Sequence, residues 1–310
     1  MDISVVIPVY GCRAALPELY RRITESVEHI SSNFEIILVD DCCPQDSWSE
    51  IKKLCGIDKR VRGIHFSRNF GQIRAITAGL DKSCGNWVVV MDCDLQDKPE
   101  AIQDLYNKAQ EGYDVVFAKR SERVDSFVTK LLSKSFYKVY DYFTDGTFDS
   151  SICNFSISKR KVIDSYCKMR EHNRAFTMFI RWVGFNETAI EIKADERFEG
   201  KSSYDFRKKL KMALEIITAQ SNKPLLFSVE LGFIISIASL VYIIYLLYKA
   251  FFVGDVLTGW TTIVASIYLI GGVILSSIGV LGIYIGNIFN ETKNRPLYII
   301  SEELNGDNDL

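Results

Sequence analysis

The sequence predicts an α/β domain with a mostly parallel sheet, followed by an α-helical hairpin that crosses a membrane. Short β-branched runs alternate with helix-length segments up to about Ala118. Two later apolar runs, Leu225–Phe252 and Trp260–Phe289, each exceed the roughly 20 residues that a helix needs to cross the hydrocarbon core. Alternating strands and helices are typical of βαβ units, whose parallel sheet is covered on both faces.

The strands and helices of the first region follow from this alternation. Strands are predicted at Ile3–Val9, Glu35–Val39, Val61–Phe66, Trp87–Met91 and Asp114–Phe117. Helices are predicted at Leu16–Ile30, Ser47–Leu54, Gln72–Lys82 and Pro99–Glu111. No Gly-x-Gly-x-x-Gly follows the first strand and no Gly-x-x-x-x-Gly-Lys occurs, so neither a dinucleotide fingerprint nor a P-loop is present.

The alternation breaks after Ser121, where two amphipathic helices are predicted. Asp125–Phe143 carries apolar residues at helical spacing and is expected to pack on the domain. Tyr204–Ala219 is basic first and apolar later, so we expect it to lie along the anionic inner leaflet. An ordinary solvated connector is the alternative for this second segment.

The two apolar runs predict a transmembrane hairpin with a short turn at Val253–Gly259. A buried helical hairpin in a soluble protein is the alternative. Glycine and serine residues recur along the second run, so it can pack closely on the first run or on another subunit. Basic residues flank the hairpin on both sides, namely Arg207, Lys208, Lys209, Lys211, Lys223, Lys293 and Arg295. This predicts that both termini face the cytosol.

Composition excludes some classes of protein and favours a reducing compartment. The net charge of −2 provides no basic field for nucleic acid. No signal peptide precedes the first strand. The eight cysteines contain no Cys-x-x-Cys pair, which favours free thiols over disulfides or zinc. The acidic tail, Glu302–Leu310, is expected to be loose.

A cluster of carboxylates closes the fourth predicted strand. Asp92 and Asp94 follow Met91 directly, and Asp97 stands behind them. Parallel sheets bind their ligands at this edge, and hard oxygen ligands suit Mg²⁺ or Mn²⁺ bridging a diphosphate. The alternative is a solvated loop leading into a helix, because Asp97-Lys98-Pro99-Glu100 resembles a helix start.

Six segments in this order resemble the polyprenyl-phosphate glycosyltransferases, inverting family 2 enzymes related to dolichol-phosphate mannose synthases and bacterial undecaprenyl-phosphate sugar transferases. The segments are Val5-Val6-Ile7-Pro8-Val9-Tyr10, Leu38-Val39-Asp40-Asp41, Ser67-Arg68-Asn69-Phe70-Gly71-Gln72, Met91-Asp92-Cys93-Asp94-Leu95-Gln96-Asp97, Arg197-Phe198-Glu199-Gly200-Lys201-Ser202-Ser203-Tyr204, and Gly282-Ile283-Tyr284-Ile285-Gly286 with Arg295-Pro296-Leu297-Tyr298. The resemblance covers nearly the whole chain and implies a GT-A fold, which is Rossmann-like with a mostly parallel sheet.

The resemblance also implies roles for residues at the donor site. Pro8, Tyr10 and Asp41 stand where the family holds the base and ribose of a nucleotide-sugar. Asp92 and Asp94, with Gln96 beside them, stand where it holds a divalent metal against the donor diphosphate. A strand-end turn and a core tyrosine are the alternatives for the first of these segments.

Four basic residues are implied at the phosphate groups. Arg120 and Arg123 stand where arginines of the family face the acceptor phosphate, and a planar guanidinium suits that contact. Arg197 and Lys201 stand in a segment that closes over the donor, so they are candidate diphosphate contacts. A solvated basic turn and a flexible surface loop are the alternatives.

The chain departs from the family pattern in three places. Gly11-Cys12 replaces the usual Asn-Glu after Tyr10, and Ile283 replaces a common Glu in the second apolar run. Asn154 stands where many relatives carry the Asp that is often named as the catalytic base. An amide does not accept a proton at neutral pH, whereas a lipid monophosphate arrives already charged, so Asn154 is expected to orient the acceptor phosphate or a sugar hydroxyl.

The sequence therefore predicts a multi-pass glycosyltransferase of the bacterial inner membrane with a cytoplasmic catalytic domain. It would transfer a sugar from a UDP-linked donor to undecaprenyl or another polyprenyl phosphate, with Mg²⁺ or Mn²⁺. The predicted organisation is residues 1–200 for catalysis, 201–224 for the juxtamembrane helix, 225–289 for the two spans and 290–310 for a cytoplasmic tail. Relatives often form tetramers, so a homo-oligomer is implied. The alternatives are extension of a lipid-diphosphate-linked saccharide in O-antigen or capsule synthesis, and a non-catalytic membrane scaffold.

Overall fold

The computed structural model describes residues 1–120, 152–192, 217–218, 221–248, 252 and 259–306. Its strands β1 to β8 are, in chain order, Ile3–Val9, Phe34–Asp40, Val61–Phe66, Trp87–Val90, Val115–Arg120, Ile152–Lys159, Glu187–Ile192 and Ile300–Leu304. Its helices α1 to α8 are Leu16–Glu28, Ser47–Ile57, Gln72–Lys82, Ala101–Gln110, Arg160–Lys168, Phe176–Trp182, Lys223–Tyr248 and Trp260–Thr292. The chain divides into two compact units, one containing the sheet with α1 to α6 and one containing α7 and α8.

The strands form one eight-stranded sheet in the order β7-β5-β6-β4-β1-β2-β3-β8. The centre of the sheet is parallel, because β1 pairs in parallel with both β2 and β4, and β2 pairs in parallel with β3. β6 runs antiparallel between β4 and β5. The predicted α/β domain with a mostly parallel sheet is confirmed.

Both faces of the sheet are covered, which explains why all seven residues of β1 are buried. Val5 and Ile7 join a core cluster that includes residues of α1, α2 and α4. Val6, which points the opposite way, joins a second cluster with residues of α3, α5 and α6. The continuous β-branched run of β1 is the sequence pattern that a strand buried on both faces requires.

Helix α3 approaches the sheet closely at Gly79. A Cβ atom at this position would lie 2.3 Å from Cγ1 of Val6 and 3.2 Å from Cγ2 of Val39. The absence of a side chain therefore lets α3 pack directly on β1 and β2. This close packing fixes the N-terminal end of α3, which carries Gln72, relative to the carboxyl edge of the sheet.

Strands β6, β7 and β8 were not predicted from the sequence. β8 includes residues 302–304, the start of the tail that we expected to be loose, and the structure corrects that expectation for these residues. β8 pairs antiparallel with β3 at the end of the sheet, with Ile64 opposite Glu303. The acidic strand β8 lacks the apolar run that identifies the central strands. Its pairing nevertheless covers backbone groups of β3 that would otherwise be exposed.

Side-chain contacts hold β8 on the sheet. Glu303 accepts a hydrogen bond of 2.8 Å from Lys82 and lies 3.6 Å from the guanidinium of Arg62. Arg62, which is buried, also donates to Glu35 at 3.1 Å. Trp48 Nε1 donates to Glu302 at 2.9 Å. The segment after α8 is therefore an integral part of the eight-stranded sheet.

The second unit contains the two long apolar helices that the sequence predicts. By length and composition, Lys223–Tyr242 of α7 and Ser266–Thr292 of α8 qualify as candidate membrane spans. Tyr284 of α8 donates to the carbonyl of Ser221 at 2.6 Å, and Asn287 donates to the carbonyl of Thr218 at 3.3 Å.

Two predicted helices lie largely outside the described residues. Nothing of Asp125–Phe143 is described, and only residues 217–218 of Tyr204–Ala219 are described. Most of the predicted turn Val253–Gly259 also lies outside the described ranges. These assignments stay predictions, as does the division into four segments.

Candidate active site

The acidic loop, residues 91–97, leaves the carboxyl end of β4 and makes a tight turn. Asp92 and Asp94 are half-buried, whereas Gln96 and Asp97 are buried. Asp94 Oδ1 accepts a hydrogen bond of 3.2 Å from the backbone N–H of Gln96, and Leu95 between them has a left-handed φ of 57°. The structure therefore confirms that the Asp-x-Asp motif lies at the carboxyl edge of the sheet.

The loop also leads into a helix, as the alternative interpretation expects, but Asp97 does not occupy the N-cap position. Helix α4 begins at Ala101 with Glu100 at its N-cap position and no side-chain cap bond. Glu100 instead accepts two hydrogen bonds from Arg22, at 2.8 and 2.7 Å. Asp97 is thus not an N-cap, and its burial ties the acidic loop to the core.

Gln72 contacts the acidic loop, and this contact was not predicted from the sequence. Its Nε2 donates to Asp92 Oδ1 at 2.7 Å. Gln72 is the first residue of α3, the helix that packs on the sheet at Gly79. A neutral amide donor orients a carboxylate without adding an opposite charge, so the contact helps to hold Asp92 in place.

Asp41 organises the segment that leads to Gln72. Its carboxylate accepts backbone N–H bonds from Phe70 at 2.6 Å and from Gly71 at 2.8 Å. Gly71 has a φ of 99°, which a side chain at this position would disfavour. Burial raises the pKa of Asp41, although these two backbone hydrogen bonds oppose the shift. The structure gives Asp41 a positioning contact, and its predicted contact with ribose stays a prediction.

Asp40 contacts His65, and this contact was not predicted from the sequence. Its Oδ2 lies 2.7 Å from Nδ1 of His65, and the ring of His65 stacks on Trp48 at a centroid distance of 5.0 Å. Burial raises the pKa of Asp40, while the bond to His65 opposes that shift. The parallel register pairs Asp40 with His65 directly, so only the strand order could have revealed the contact.

Pro8 and Tyr10 differ in exposure although both belong to the end of β1. Pro8 is buried and pairs with Val39 in the sheet. Tyr10 is 53% exposed. Tyr10 is thus available to stack on a base, whereas Pro8 shapes the strand that presents it.

Asn154 lies in β6 and reaches the same edge of the sheet as Asp92. Val90 of β4 pairs with Ser156 of the antiparallel β6. β4 ends at Val90, and Asn154 lies two residues before Ser156, so β6 carries Asn154 toward the edge that the acidic loop leaves. Arg120 ends β5, which runs parallel to β4 across β6, so its backbone reaches this edge as well.

Three predicted phosphate contacts lie outside the described residues. They are Arg123, Arg197 and Lys201. For Arg120, the strand position is described but the side chain is not. The roles of these four residues stay predictions.

The prediction that all cysteines are free thiols is wrong for one pair. Cys12 and Cys93 form a disulfide with a Cα–Cα distance of 6.1 Å, whereas the other six cysteines are free. The two positions are 81 residues apart in sequence. Strands β1 and β4 are neighbours in the sheet, and their carboxyl ends bring the two cysteines together. Sequence spacing alone does not contain this strand order.

The donor atoms of the acidic loop fit a hard divalent cation in type. Asp92 and Asp94 supply carboxylate oxygens, and Gln96 follows in the same turn. Among the residues that the structure describes, no group of three acidic, His or Cys side chains is arranged to hold a metal ion. An ion held by this loop would therefore complete its coordination with oxygens of a ligand and water, as Mg²⁺ commonly does.

An open groove of about 380 Å³ lies beside the 3₁₀ turn that follows β1. It is lined by Arg13, Ala14, Pro17, Gln45 and Glu50. None of the predicted site residues lines it. The groove therefore does not define the candidate active site, which rests on the side chains that the carboxyl edge brings together.

Sequence comparisons identify the family. The model of glycosyl transferase family 2 matches residues 4–202. An uncharacterized glycosyltransferase, YkcC of Bacillus subtilis (strain 168), is 37% identical over 300 residues, covering 96% of this chain and 93% of that protein. A bactoprenol glucosyl transferase of Shigella phage SfII is 34% identical over 307 residues, covering 99% of each chain.

Solved structures agree on the fold. Mannosyl-3-phosphoglycerate synthase from Rubrobacter xylanophilus aligns with a TM-score of 0.50 at 15% identity, covering 72% of this chain and 74% of that one. The mannosyltransferase PcManGT from Pyrobaculum calidifontis, in complex with GDP-Man and Mn²⁺, also aligns with a TM-score of 0.50 at 15% identity, covering 70% of this chain and 63% of that one. The chain has the GT-A fold and belongs to glycosyl transferase family 2.

Proposed function

We propose that this glycosyltransferase moves a sugar from a UDP-linked donor to undecaprenyl or another polyprenyl phosphate at the cytoplasmic face of the bacterial inner membrane. Relatives named bactoprenol glucosyl transferase align with nearly the whole chain, including both long helices, and this supports a polyprenyl phosphate acceptor. The observation that carries the proposal is the carboxyl edge of the sheet, where Asp92 and Asp94 lie in the loop that leaves β4 and Gln72 holds Asp92.

The reaction is a single displacement with inversion. A phosphate oxygen of the acceptor attacks the anomeric carbon, a new C–O bond forms, and the bond to the nucleoside diphosphate breaks. Asp92 and Asp94 would hold Mg²⁺ or Mn²⁺, with Gln96 beside them. The bound ion would neutralise the negative charge that develops on the departing diphosphate.

Gln72 and Asp41 also support this step through the segments that they hold in place. Gln72 orients Asp92 through its bond of 2.7 Å, and Asp41 fixes the backbone of residues 70 and 71 immediately before Gln72. The carboxylate of Asp92 therefore needs little rearrangement when the donor binds. Such preorganisation is a principal source of catalysis in transfers of this kind.

Asn154 acts on the acceptor side of the edge. Its amide neither gives nor takes a proton at neutral pH, so it orients the acceptor phosphate or a sugar hydroxyl by hydrogen bonding. The acceptor is already ionised, because the second pKa of a phosphate monoester is about 6. Arg120 and Arg123 are proposed to face the acceptor phosphate, and Arg197 and Lys201 the donor diphosphate.

Membrane anchoring brings the site to its lipid substrate. We propose that α7 and α8 cross the bilayer as a hairpin, because each contains a window of the length and hydropathy that a membrane span requires. Basic residues on both sides of the hairpin place its ends at the cytoplasmic face. The acceptor phosphate lies in the headgroup region, next to a domain anchored there. Assembly into a homo-oligomer is part of the proposal.

The test is transfer of radiolabelled sugar by the full-length protein in detergent. A panel of UDP-linked sugars is incubated with undecaprenyl phosphate and Mn²⁺, and the lipid product is treated with mild acid. We expect an acid-labile lipid-monophosphate sugar that does not form when EDTA is present.

Two other outcomes would replace the proposal. Label that enters only a lipid-diphosphate saccharide would favour the chain-extending transferase, which the replacements at Cys12 and Asn154 keep in consideration. Absence of both nucleotide binding and transfer would favour the non-catalytic scaffold.

A further inference from the structure

A covalent bond joins the acidic loop to the loop that follows β1. Cys93 stands between Asp92 and Asp94, and its sulfur is bonded to that of Cys12. Cys12 follows Tyr10, the exposed residue at the end of β1. The bond therefore connects the segment proposed to hold the nucleotide base with the segment proposed to hold the diphosphate.

The backbone of both loops is positioned to accommodate the disulfide between Cys12 and Cys93. The Cα atoms lie 6.1 Å apart, within the usual range of about 4.4–6.8 Å. Both residues are buried, at 8% and 5% exposure, and both belong to the core cluster that contains α1 and α4. Neighbouring parallel strands that end at the same edge set this distance.

The reduced pair also fits the surroundings. Sγ of Cys12 lies 3.4 Å from the carbonyl oxygen of Tyr10, so a Cys12 thiol would have a hydrogen-bond acceptor. Cys93 lies among apolar side chains, where a thiol behaves as a small hydrophobic group. The fold can therefore hold this pair either as two thiols or as a disulfide.

The remaining cysteines point to reversible rather than permanent bonding. Six cysteines are free, including the exposed Cys84. A protein with this many free thiols is typical of a reducing compartment, where disulfides are transient and serve redox sensing. The disulfide involves the acidic loop, where it can act on the reaction.

We propose that Cys12 and Cys93 form a reversible redox site whose oxidation strengthens metal-dependent nucleotide binding by Asp92 and Asp94. The inference rests on the proposed function of the acidic loop. The disulfide restrains Cys93 at the centre of the loop, and reduction removes that restraint. A loop that is already ordered loses less conformational entropy when it binds a ligand.

The redox step is a thiol–disulfide exchange with a low-molecular-weight disulfide. One cysteine thiolate attacks the oxidant and releases one thiol, and the second cysteine then displaces the other half of the oxidant. The two cysteines lose two electrons and two protons, one S–S bond forms in the protein, and the oxidant is reduced to two thiols. A dithiol reductant reverses the reaction.

Differential alkylation tests the site without reference to any ligand. The full-length protein in detergent is equilibrated in oxidised or reduced glutathione and then denatured so that buried thiols also react, and free thiols are blocked with N-ethylmaleimide. After reduction, newly exposed thiols are blocked with the deuterated reagent, and peptides are quantified by mass spectrometry. We expect Cys12 and Cys93 to take the second label together in oxidised glutathione and the first label in reduced glutathione. Retention of the first label in both buffers would overturn the redox site.

Titration of UDP in the presence of Mn²⁺ tests the consequence of the bond. We expect the wild type to bind about fivefold more weakly after reduction. Cys12→Ser, whose hydroxyl can keep the contact with Tyr10, should bind weakly in both buffers. Cys84→Ser removes an exposed free thiol near the opposite end of β4 and should respond like the wild type.

The outcomes separate this inference from the proposed function. Equal UDP affinity in the two redox states of the wild type, or tighter binding after reduction, would overturn the effect on affinity. Absence of UDP binding in both states would overturn the nucleotide-binding role of the acidic loop and, with it, the effect on affinity. The alkylation result decides the redox site in either case.

Discussion

Two pairs of aspartates lie at the same edge of the sheet, and their surroundings differ. Asp40 and Asp41, after β2, are 1% and 2% exposed and accept hydrogen bonds from His65 and from the backbone of residues 70 and 71. Asp92 and Asp94, after β4, are half-buried in a turn. Burial raises the pKa values of the first pair. One pair thus organises the loops, and the other is the pair that we propose binds the ligand.

The largest effect is expected from Asp94→Ala, because it removes an oxygen ligand from the loop proposed to hold the metal. Sugar transfer should fall by about a hundredfold or more, while the melting temperature stays within about 2 °C of the wild type. Transfer and thermal unfolding are measured on the same preparation. Asp104→Ala, an exposed position on α4, is the control and should keep full activity. Equal activity of the two variants would remove the distinction between the pairs.

Asp41→Ala should instead act first on stability. It leaves the backbone N–H groups of Phe70 and Gly71 without their acceptor at a buried position. We expect the free energy of unfolding to fall by about 2–4 kcal/mol, as measured by chemical denaturation. A loss similar to that of the exposed Asp104→Ala would show that the buried pair does not hold the loop.

Gln72→Ala should produce a smaller effect that is specific to the metal. Loss of the 2.7 Å bond removes one restraint on the Asp92 carboxylate. The Mn²⁺ concentration that gives half-maximal transfer should rise by about tenfold, while the rate at saturating Mn²⁺ changes little. Gln103→Ala on the exposed face of α4 is the matched control. A fall in the saturated rate without a change in Mn²⁺ dependence would contradict a positioning role.

The smallest effect is a pH dependence of stability. Because folding raises the pKa of Asp41, the folded state binds this proton more tightly than the unfolded state. The free energy of unfolding of the wild type, relative to Asp41→Asn, should therefore be highest near pH 4 and decline as pH rises through the folded pKa. Urea denaturation between about pH 4 and pH 6 measures the slope. A difference that grows with pH would mean that the hydrogen bonds outweigh burial.

The central strands could be predicted because each is buried on both faces. β1 and β3 begin and end where the sequence predicts, as does α3. The outer strands could not be predicted in this way. β7 alternates along its length as Glu187-Thr188-Ala189-Ile190-Glu191-Ile192, and β8 contains two glutamates that make ion pairs only after the sheet has formed.

The candidate site was predicted as far as it depends on strand ends. Asp92 and Asp94 could be placed at the carboxyl edge because they follow an apolar run directly. The Gln72–Asp92 bond, the Asp40–His65 pair and the Cys12–Cys93 bond could not, since each joins segments far apart in sequence. Contacts of this kind depend on strand order and register, which a single sequence does not specify.

The order of synthesis gives strand β8 a particular consequence. Trp48 and Glu302, which bond across this edge, are 254 positions apart, and both long helices lie between them. At about 5–20 residues per second, translation reaches β8 roughly ten seconds or more after the first three strands have emerged from the ribosome. Until then β3 lacks β8, its partner on the side away from β2. The nascent enzyme can therefore complete its sheet only after both apolar helices have been synthesised.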